Sequence, residues 1–167
     1  MPHLYYKLLL SACLSASLVA NAQTHCTKNE VEYFTCKISG SEKIVSICGS
    51  DFRAGTHALA EIVDDAWLQY RFGKPGQLEL VFPAKRHPLL SHFSGELILS
   101  NDRRLYALTF KRRSYSYEIL YSPGFRGVTV QGLGSNVKLP CDGEPKIPLG
   151  KGLNDFYELV ITLNRQK

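Results

Sequence analysis

The segment RLYALTFKR, residues 104–112, alternates from Tyr106 to Lys111 between large apolar side chains and polar or small ones. Tyr106, Leu108 and Phe110 fall on one side, and an alanine, a threonine and a lysine occupy the positions between and after them. Successive side chains of a β-strand point to opposite faces of the sheet, whereas a helix repeats about every 3.6 residues. The period of two therefore predicts a strand with one face toward a core.

The same alternation recurs on both sides of this segment. Residues 77–82 and 115–121 carry aromatic or branched side chains at every second position, which is typical of half-buried strands. Turn signals separate such runs, as in Lys74-Pro75-Gly76-Gln77, where proline and glycine stand as in a type II turn. The strands predicted in this way are 33–39, 43–49, 66–72, 77–82, 95–100, 104–112, 115–121, 127–131 and 136–139. Eight or nine strands predict an all-β fold, a mainly antiparallel sandwich or barrel, and the pattern does not choose between the two.

One helix is predicted at the C-terminus, where Asn154 can cap it. Its apolar stripe consists of Phe156, Tyr157, Val160 and Leu163. These residues recur at helical intervals, so we expect the helix to pack on the sheet or to plug a barrel end. A short helical turn is also expected within residues 55–65.

The N-terminus has the pattern of a secretory signal. A mildly basic start is followed by an apolar run over residues 8–19 and by Ala20-Asn21-Ala22, the small-x-small pattern that precedes a cleavage site. The run is well short of the roughly 20 apolar residues that span a bilayer as a helix. We therefore predict a signal peptide over 1–22, cleaved near Ala22, no transmembrane segment, and a single disulfide-stabilised β domain over 23–167 in the periplasm or outside the cell.

A second interpretation of the leader is that Leu10-Ser11-Ala12-Cys13 directs acylation at Cys13, as in bacterial lipoproteins. The apolar stretch before Cys13 would then contain only a few residues, whereas cleavage after Ala22 leaves a signal core of ordinary length. Cleavage near Ala22 is therefore the favoured prediction.

Removal of the leader takes away one of the five cysteines. Those that remain are Cys26, Cys36, Cys48 and Cys141. An even number in an exported chain predicts two disulfides, with three possible pairings. The predicted strands on either side of residues 40–42 favour Cys36 opposite Cys48, which pairs Cys26 with Cys141 by elimination. No paired unit such as C-x-x-C is present, so no metal site is predicted.

Positive charge is concentrated in the middle of the chain. The net charge of the whole chain is +5, and residues 83–126 alone hold eight basic against three acidic groups. Arginine pairs 103–104 and 112–113 fall where hairpin tips are expected, so they are candidates for a patch that attracts an anionic glycan or lipid headgroup. The favoured alternative is that basic side chains at loop tips keep sheet edges soluble. Nucleic acid is an unlikely partner for an exported disulfide protein, and none is predicted.

No catalytic motif is recognised in the chain. His87 and His92 lie five residues apart in a stretch broken by Pro88, so they do not share a helical face as paired zinc ligands do. Ser91 beside His92 is not a triad, and G-x-S-x-G is absent. The adjacent Asp64 and Asp65 are more typical of a turn. We therefore predict no catalytic residue, no metal and no cofactor.

A linear pattern runs through the first half of the chain. It consists of Tyr33-Phe34-Thr35-Cys36, Lys43-Ile44-Val45-Ser46-Ile47-Cys48, Trp67-Leu68-Gln69-Tyr70-Arg71-Phe72-Gly73 and Glu79-Leu80-Val81-Phe82-Pro83. This pattern, over residues 26–83, resembles a group of exported bacterial proteins without an assigned activity, and the resemblance implies a Gram-negative periplasmic or secreted origin.

Within this pattern two interpretations of Arg71 stand open. In the favoured interpretation Arg71 pairs with a nearby carboxylate such as Glu79. In the alternative, Trp67, Gln69 and Arg71 form an exposed binding strip, since Trp and Arg often anchor interfaces. The candidate binding residues of the chain are thus Trp67, Gln69, Arg71, Arg103, Arg104, Arg112 and Arg113.

Three functions are compatible with this sequence. The first is a small exported binding module that inhibits or neutralises another protein. The second is an envelope component that binds anionic glycan or lipid headgroups through residues 83–126. The third is a hydrolase in which a histidine meets a carboxylate or serine in space. The sequence favours the binding module, because a compact disulfide-linked β scaffold with loops suits recognition.

Overall fold

The computed structural model describes residues 24–53, 62–88, 91–100, 103–146 and 155–166. The predicted leader, its alternative acylation site Cys13 and the helix cap Asn154 lie outside these ranges, as does most of the segment 55–65. The part of that segment which is described, 62–65, forms a β-bridge from Ile62 to Arg53 and a turn. The expected helical turn is therefore not found there.

The described residues form two antiparallel sheets and one helix. The first sheet contains β1 (Val31–Lys37), β2 (Ile44–Gly49), β3 (Leu68–Lys74) and β4 (Gln77–Phe82). The second contains β5 (Phe93–Ser100), β6 (Arg103–Arg112), β7 (Tyr115–Tyr121), β8 (Arg126–Gly132) and β9 (Ser135–Pro140), and the helix is α1 (Asp155–Arg165). The all-β class with a C-terminal helix is confirmed, and every predicted strand is present with its ends shifted by two residues or fewer. No helix in the described ranges is long and apolar enough to cross a bilayer.

Both sheets are meanders, in which each strand pairs with the next one along the chain. The chain that leaves β9 then pairs with β1 of the other sheet. The amide of Ser39 donates to Pro140 O, that of Asp142 to Lys37 O and that of Lys146 to Thr35 O. Each sheet is thus built from consecutive strands, and backbone hydrogen bonds between β1 and the segment after β9 join the two sheets along one side.

Aromatic side chains from the two sheets meet in the core. The ring of Tyr70 on β3 lies 5.1 Å from that of Phe110 and 5.9 Å from that of Tyr117, both on the second sheet. Phe82 stacks on Phe110 with 4.7 Å between ring centroids. These residues belong to the alternating apolar sets that the sequence places on one face, so the core follows directly from the period of two.

Helix α1 packs mainly against β5 of the second sheet. Of its predicted stripe Phe156, Val160 and Leu163 are buried and Tyr157 is partly buried, and Leu159, which the prediction left out, is buried as well. Phe156 reaches Phe34 of β1, with 5.5 Å between ring centroids. Gly95 makes the close approach to β5 possible, because a Cβ at this position would stand 2.1 Å from Val160 O.

Gly95→Ala is therefore expected to displace α1 and to lower the free energy of unfolding by about 1–3 kcal/mol, the usual cost of overpacking a well-filled core. The matched control is Gly124→Ala, since a Cβ there meets no atom within 4 Å. Urea unfolding of both variants measures the difference. Equal stability of the two would show that the helix yields without strain.

The two disulfides are Cys26–Cys48 and Cys36–Cys141. Two disulfides among these four cysteines were expected, but the favoured pairing of Cys36 with Cys48 is wrong. The hairpin register sets Cys36 opposite Val45 and Cys48 opposite Glu32. Cys36 lies within the core between the sheets, whereas Cys48 follows the core residue Ile47 and faces the other side of the strand pair. A bond between them would have to pass through the sheet.

Candidate functional site

A groove of about 460 Å³ lies on the outer face of the second sheet. Its floor is a row of four polar residues, one from each of four neighbouring strands, which the register pairs side by side. From β5 to β8 they are Ser94, Thr109, Glu118 and Thr129. The rest of the lining consists of Ser91, His92, Phe93, Glu96, Phe110, Lys111, Ser116 and Gln131. The residues that alternate with this row point into the core, so the groove is the polar counterpart of the apolar face.

Two threonine hydroxyls in the row differ in their hydrogen bonds. Thr109 Oγ1 donates to Ser94 O across 3.3 Å, which leaves its oxygen able to accept. Thr129 is only 4% exposed, and among the described residues its hydroxyl has no hydrogen-bond partner. The hydroxyl oxygen is open to the groove, since the only fully buried side-chain N and O atoms without a hydrogen-bond partner in the described residues are Glu32 Oε1 and Arg126 Nε. The groove therefore contains a polar group that a ligand can satisfy.

Glu118 stands between the two threonines and is half buried. Burial raises the pKa of its carboxyl above the ordinary value, and the charge of Glu96 in the same groove adds to the effect. Within the described ranges Glu118 forms no ion pair or hydrogen bond. Lys111 lies in a different row of the sheet from either carboxylate. Glu96 is opposite Ala107, on one side of the row that contains Thr109 and Glu118. Lys111 is opposite Ser116, on the other side of that row.

The raised pKa of Glu118 predicts that Glu118→Gln stabilises the protein at neutral pH. The folded state holds the proton more tightly than the unfolded state, so the wild type loses stability as pH rises from the unfolded pKa through the folded one. We expect a small gain near pH 7, within about 0.5 kcal/mol, the usual range for a substitution at a partly exposed site. The gain should vanish below the unfolded pKa, and urea unfolding across pH measures it. A gain that persists unchanged in acid would contradict this account.

The predicted strip of Trp67, Gln69 and Arg71 is not an exposed surface. Gln69 is 6% and Arg71 8% exposed, because residues 24–30 cover the outer face of β3. The guanidinium of Arg71 donates two hydrogen bonds to the Glu30 carboxylate, at 2.7 and 2.8 Å, and others to His25 O and to Gln69 Oε1. The hypothesis of an exposed strip is therefore wrong for Gln69 and Arg71.

Pairing of Arg71 with a carboxylate was the favoured interpretation, and the partner is Glu30, whereas Glu79 pairs with Lys43 at 2.7 Å. The carboxylate of Glu30 also accepts from Arg86 Nη2 at 3.0 Å. The pKa of the Glu30 carboxyl is lowered to about 2, chiefly because Arg71 donates hydrogen bonds to it. Trp67 is partly buried, with the Arg86 guanidinium 4.0 Å from its ring centroid.

The arginine pairs of the middle region do not form one patch. Arg103 and Arg104 begin β6, Arg112 ends it, and Arg113 follows in the turn. A strand of ten residues is roughly 30 Å long, so the two pairs lie at opposite ends of the sheet. The side chains of Arg103 and Arg104 are outside what the structure describes.

Histidines are distributed over several places. His25 Nε2 donates to Gly73 O at 3.1 Å, and the rings of His87 and His92 meet edge to face at 5.3 Å between centroids. His57 lies outside the described residues. In the described part of the chain, no three His, Cys, Asp or Glu side chains are grouped so that they could hold a metal ion.

The groove was not recognised from the sequence. Its four floor residues lie on four strands, and only the register brings them into one row. The available signal was a charged residue in the middle of a strand, because Glu118 stands between Tyr117 and Ile119 in a run that is otherwise aromatic and aliphatic.

No family model matches the chain, and no curated protein or solved structure matches it either. The resemblance of residues 26–83 to exported bacterial proteins therefore stays a prediction.

Proposed function

We propose that this protein is an exported small binding module, periplasmic or secreted, which binds another protein through the groove and thereby inhibits or neutralises it. The observation that carries the proposal is the pair of polar groups on the groove floor. Thr129 is almost fully buried there without a hydrogen-bond partner among the described residues, and Glu118 is half buried without an ion pair in the same ranges. Polar groups without a partner inside the protein, placed at the floor of a groove, are the kind of local inconsistency that proteins keep at functional sites.

The scaffold supports recognition. The floor residues stand on four antiparallel strands of one sheet, and regular elements hold side chains in position more firmly than loops do. Two disulfides are characteristic of proteins in an oxidising compartment, which supports export. The predicted signal peptide over 1–22 provides the route.

The groove suits binding better than hydrolysis. General acid–base or nucleophilic catalysis needs a base within hydrogen-bond reach of its partner. His92 lines the groove, yet in the described part of the chain no hydrogen bond joins it to a serine or a carboxylate. Binding through residues 83–126 to an anionic polymer is also less well supported, because the arginine pairs are separated by the length of β6.

The test is affinity capture with the oxidised protein as bait, from periplasmic extract and from medium of co-cultured bacteria. The bait is compared with the groove variant Glu118→Gln/Thr129→Val and with the control Lys74→Gln, which breaks only the exposed ion pair with Glu42. A stoichiometric protein partner that the wild type and the control retain and the groove variant loses would support the proposal. Recovery of only salt-sensitive glycan or lipid, or equal capture by all three baits, would overturn it.

A further inference from the structure

We propose that the groove takes a single guanidinium or ammonium group from a basic side chain of the bound protein, placed between Glu118 and Glu96 with its N–H groups on the threonine hydroxyls. The inference rests on the proposed function, because it names the chemistry by which the partner is recognised.

Hydrogen-bond acceptors dominate the floor of the groove. The Glu118 carboxylate accepts only, and the oxygens of Thr109 and Thr129 can both accept, since the Thr109 proton is already donated to Ser94 O. An acceptor-rich surface fits a ligand that is rich in donors. A guanidinium presents five N–H donors and no acceptor, and charge-assisted bonds to a carboxylate are the strong class of hydrogen bond.

The space between the carboxylates suits a small planar cation. Glu96 and Glu118 stand on β5 and β7, on either side of β6, so their backbones are separated laterally by about 10 Å, or two strand spacings. On β6 between them the side chains are short, namely Ala107 and Thr109. Two carboxylates with like charge repel each other, and a cation between them removes that repulsion.

Other charged groups that face the groove limit what can bind. Lys111 and His92 line its other side. Lys138, opposite Thr129 on β9, has its ammonium 5.9 Å from the ring centroid of Phe125. These basic groups and the net positive charge of the region disfavour a polybasic segment. The groove therefore selects a partner protein that presents one basic side chain on an otherwise neutral or acidic surface.

A neutral sugar is a poorer occupant. The two phenylalanines that border the groove, Phe93 and Phe110, are buried in the core and offer no ring face to a ligand. The half-buried carboxylate of Glu118 would also keep its charge without a counter-ion if a sugar were bound.

The experiment is an NMR titration of the isotopically labelled, oxidised protein with N-acetyl-arginine methylamide. The neutral isostere N-acetyl-citrulline methylamide is the matched probe, because a carbonyl oxygen in place of one guanidinium nitrogen removes the charge and two N–H donors while the shape is kept. We expect saturable shifts of the amides of Thr109, Glu118 and Thr129 with the arginine probe and at least tenfold weaker binding of the citrulline probe. Binding should fall as pH falls through the raised pKa of Glu118, because protonation removes the charge that holds the cation.

Two variants sharpen the titration. Glu118→Gln is expected to weaken binding of the arginine probe at least tenfold, and Lys111→Gln is expected to leave it unchanged or to tighten it. Equal binding of both probes, or a Glu118→Gln variant that binds as the wild type does, would overturn the inference. A chemical-shift map centred outside the groove would do so too.

The outcomes separate this inference from the proposed function. If the groove variant loses its protein partner while the arginine probe does not bind, the inference fails and the proposed function stands. If the arginine probe binds but no protein is captured through the groove, a basic side chain of a partner protein is excluded as the ligand. Free arginine derivatives are then the ligands that the groove binds.

Discussion

Replacement of Cys36 and Cys141 together by alanine is expected to lower the free energy of unfolding by about 4 to 5 kcal/mol. The bond joins residues 105 positions apart, and its loss returns to the unfolded chain the entropy of a long open loop. In the folded state Cys36 is buried in the core, and Cys141 lies in the segment that joins β9 to β1. The variant should therefore lose both the covalent link and part of the contact between the sheets.

The second disulfide provides the matched comparison. Cys26 and Cys48 are 22 positions apart, so replacing both by alanine is expected to lower the free energy of unfolding by about 3 to 3.5 kcal/mol. Urea unfolding of the two double variants measures the order of the effects. A larger loss for the shorter loop would contradict the chain-entropy explanation.

Reduction of both bonds tests the pairing as well. The two losses add to about 8 kcal/mol, which is comparable with the whole stability of a domain, about 5–15 kcal/mol. We therefore expect the fully reduced protein to be unfolded or nearly so, as followed by circular dichroism. Peptide mapping without reductant should recover Cys26 with Cys48 and Cys36 with Cys141, and any other pairing would show the register of the first hairpin to be wrong.

Arg71→Met is expected to lower the free energy of unfolding by about 3–5 kcal/mol, the usual effect of leaving one charge of a buried pair without its partner. The carboxylate of Glu30 is only 2% exposed, and it would then keep only Arg86 and the backbone amide of Thr27 as partners. The guanidinium of Arg71 also donates to His25 O, and without it the hydrogen bond from His25 Nε2 to Gly73 O remains between residues 24–30 and β3. The control is Lys74→Gln, whose ion pair with Glu42 is exposed.

The same network predicts the behaviour of the protein in acid. The pKa of Glu30 is lowered from 4.5 to about 2 in the folded state, so the unfolded state binds its proton more readily. The stability from this carboxylate is complete above the unfolded pKa and is lost as pH falls from about 4.5 toward 2. A shift of this size corresponds to roughly 3 kcal/mol.

Glu30→Gln isolates this contribution. The variant should be less stable than the wild type at pH 7, and the difference should shrink as pH falls toward 2, when the wild type loses the same charge. Glu42→Gln removes a fully exposed carboxylate whose pKa is lowered by the hydrogen bond from Lys74, and it should change the acid limb much less than Glu30→Gln does, because solvent screens an exposed pair. A wild type and a Glu30→Gln variant with parallel stability curves between pH 7 and 2 would show that this network does not stabilise the fold.

The strands, the helix and the number of disulfides follow from the amino-acid sequence alone. The alternation in segments such as 104–112 determined the strands, their buried faces and the all-β class, because the direction of a side chain in a strand depends only on its position along that strand. The apolar stripe of 156–163 likewise determined the helix and its buried face. The even cysteine number after leader removal indicated two disulfides.

Only the tertiary structure decided which cysteines are bonded, which carboxylate Arg71 binds and which polar residues form the groove. Cys36 and Cys48 lie on a predicted hairpin, yet the register puts them on opposite sides of it, and their partners are Cys141 and Cys26. The same holds for Arg71, whose partner Glu30 is 41 residues away, and for the groove, whose floor needs the register of four strands. The period of two is a local property and survives a shift of register in steps of two, whereas pairing between strands is fixed by contacts between distant parts of the chain.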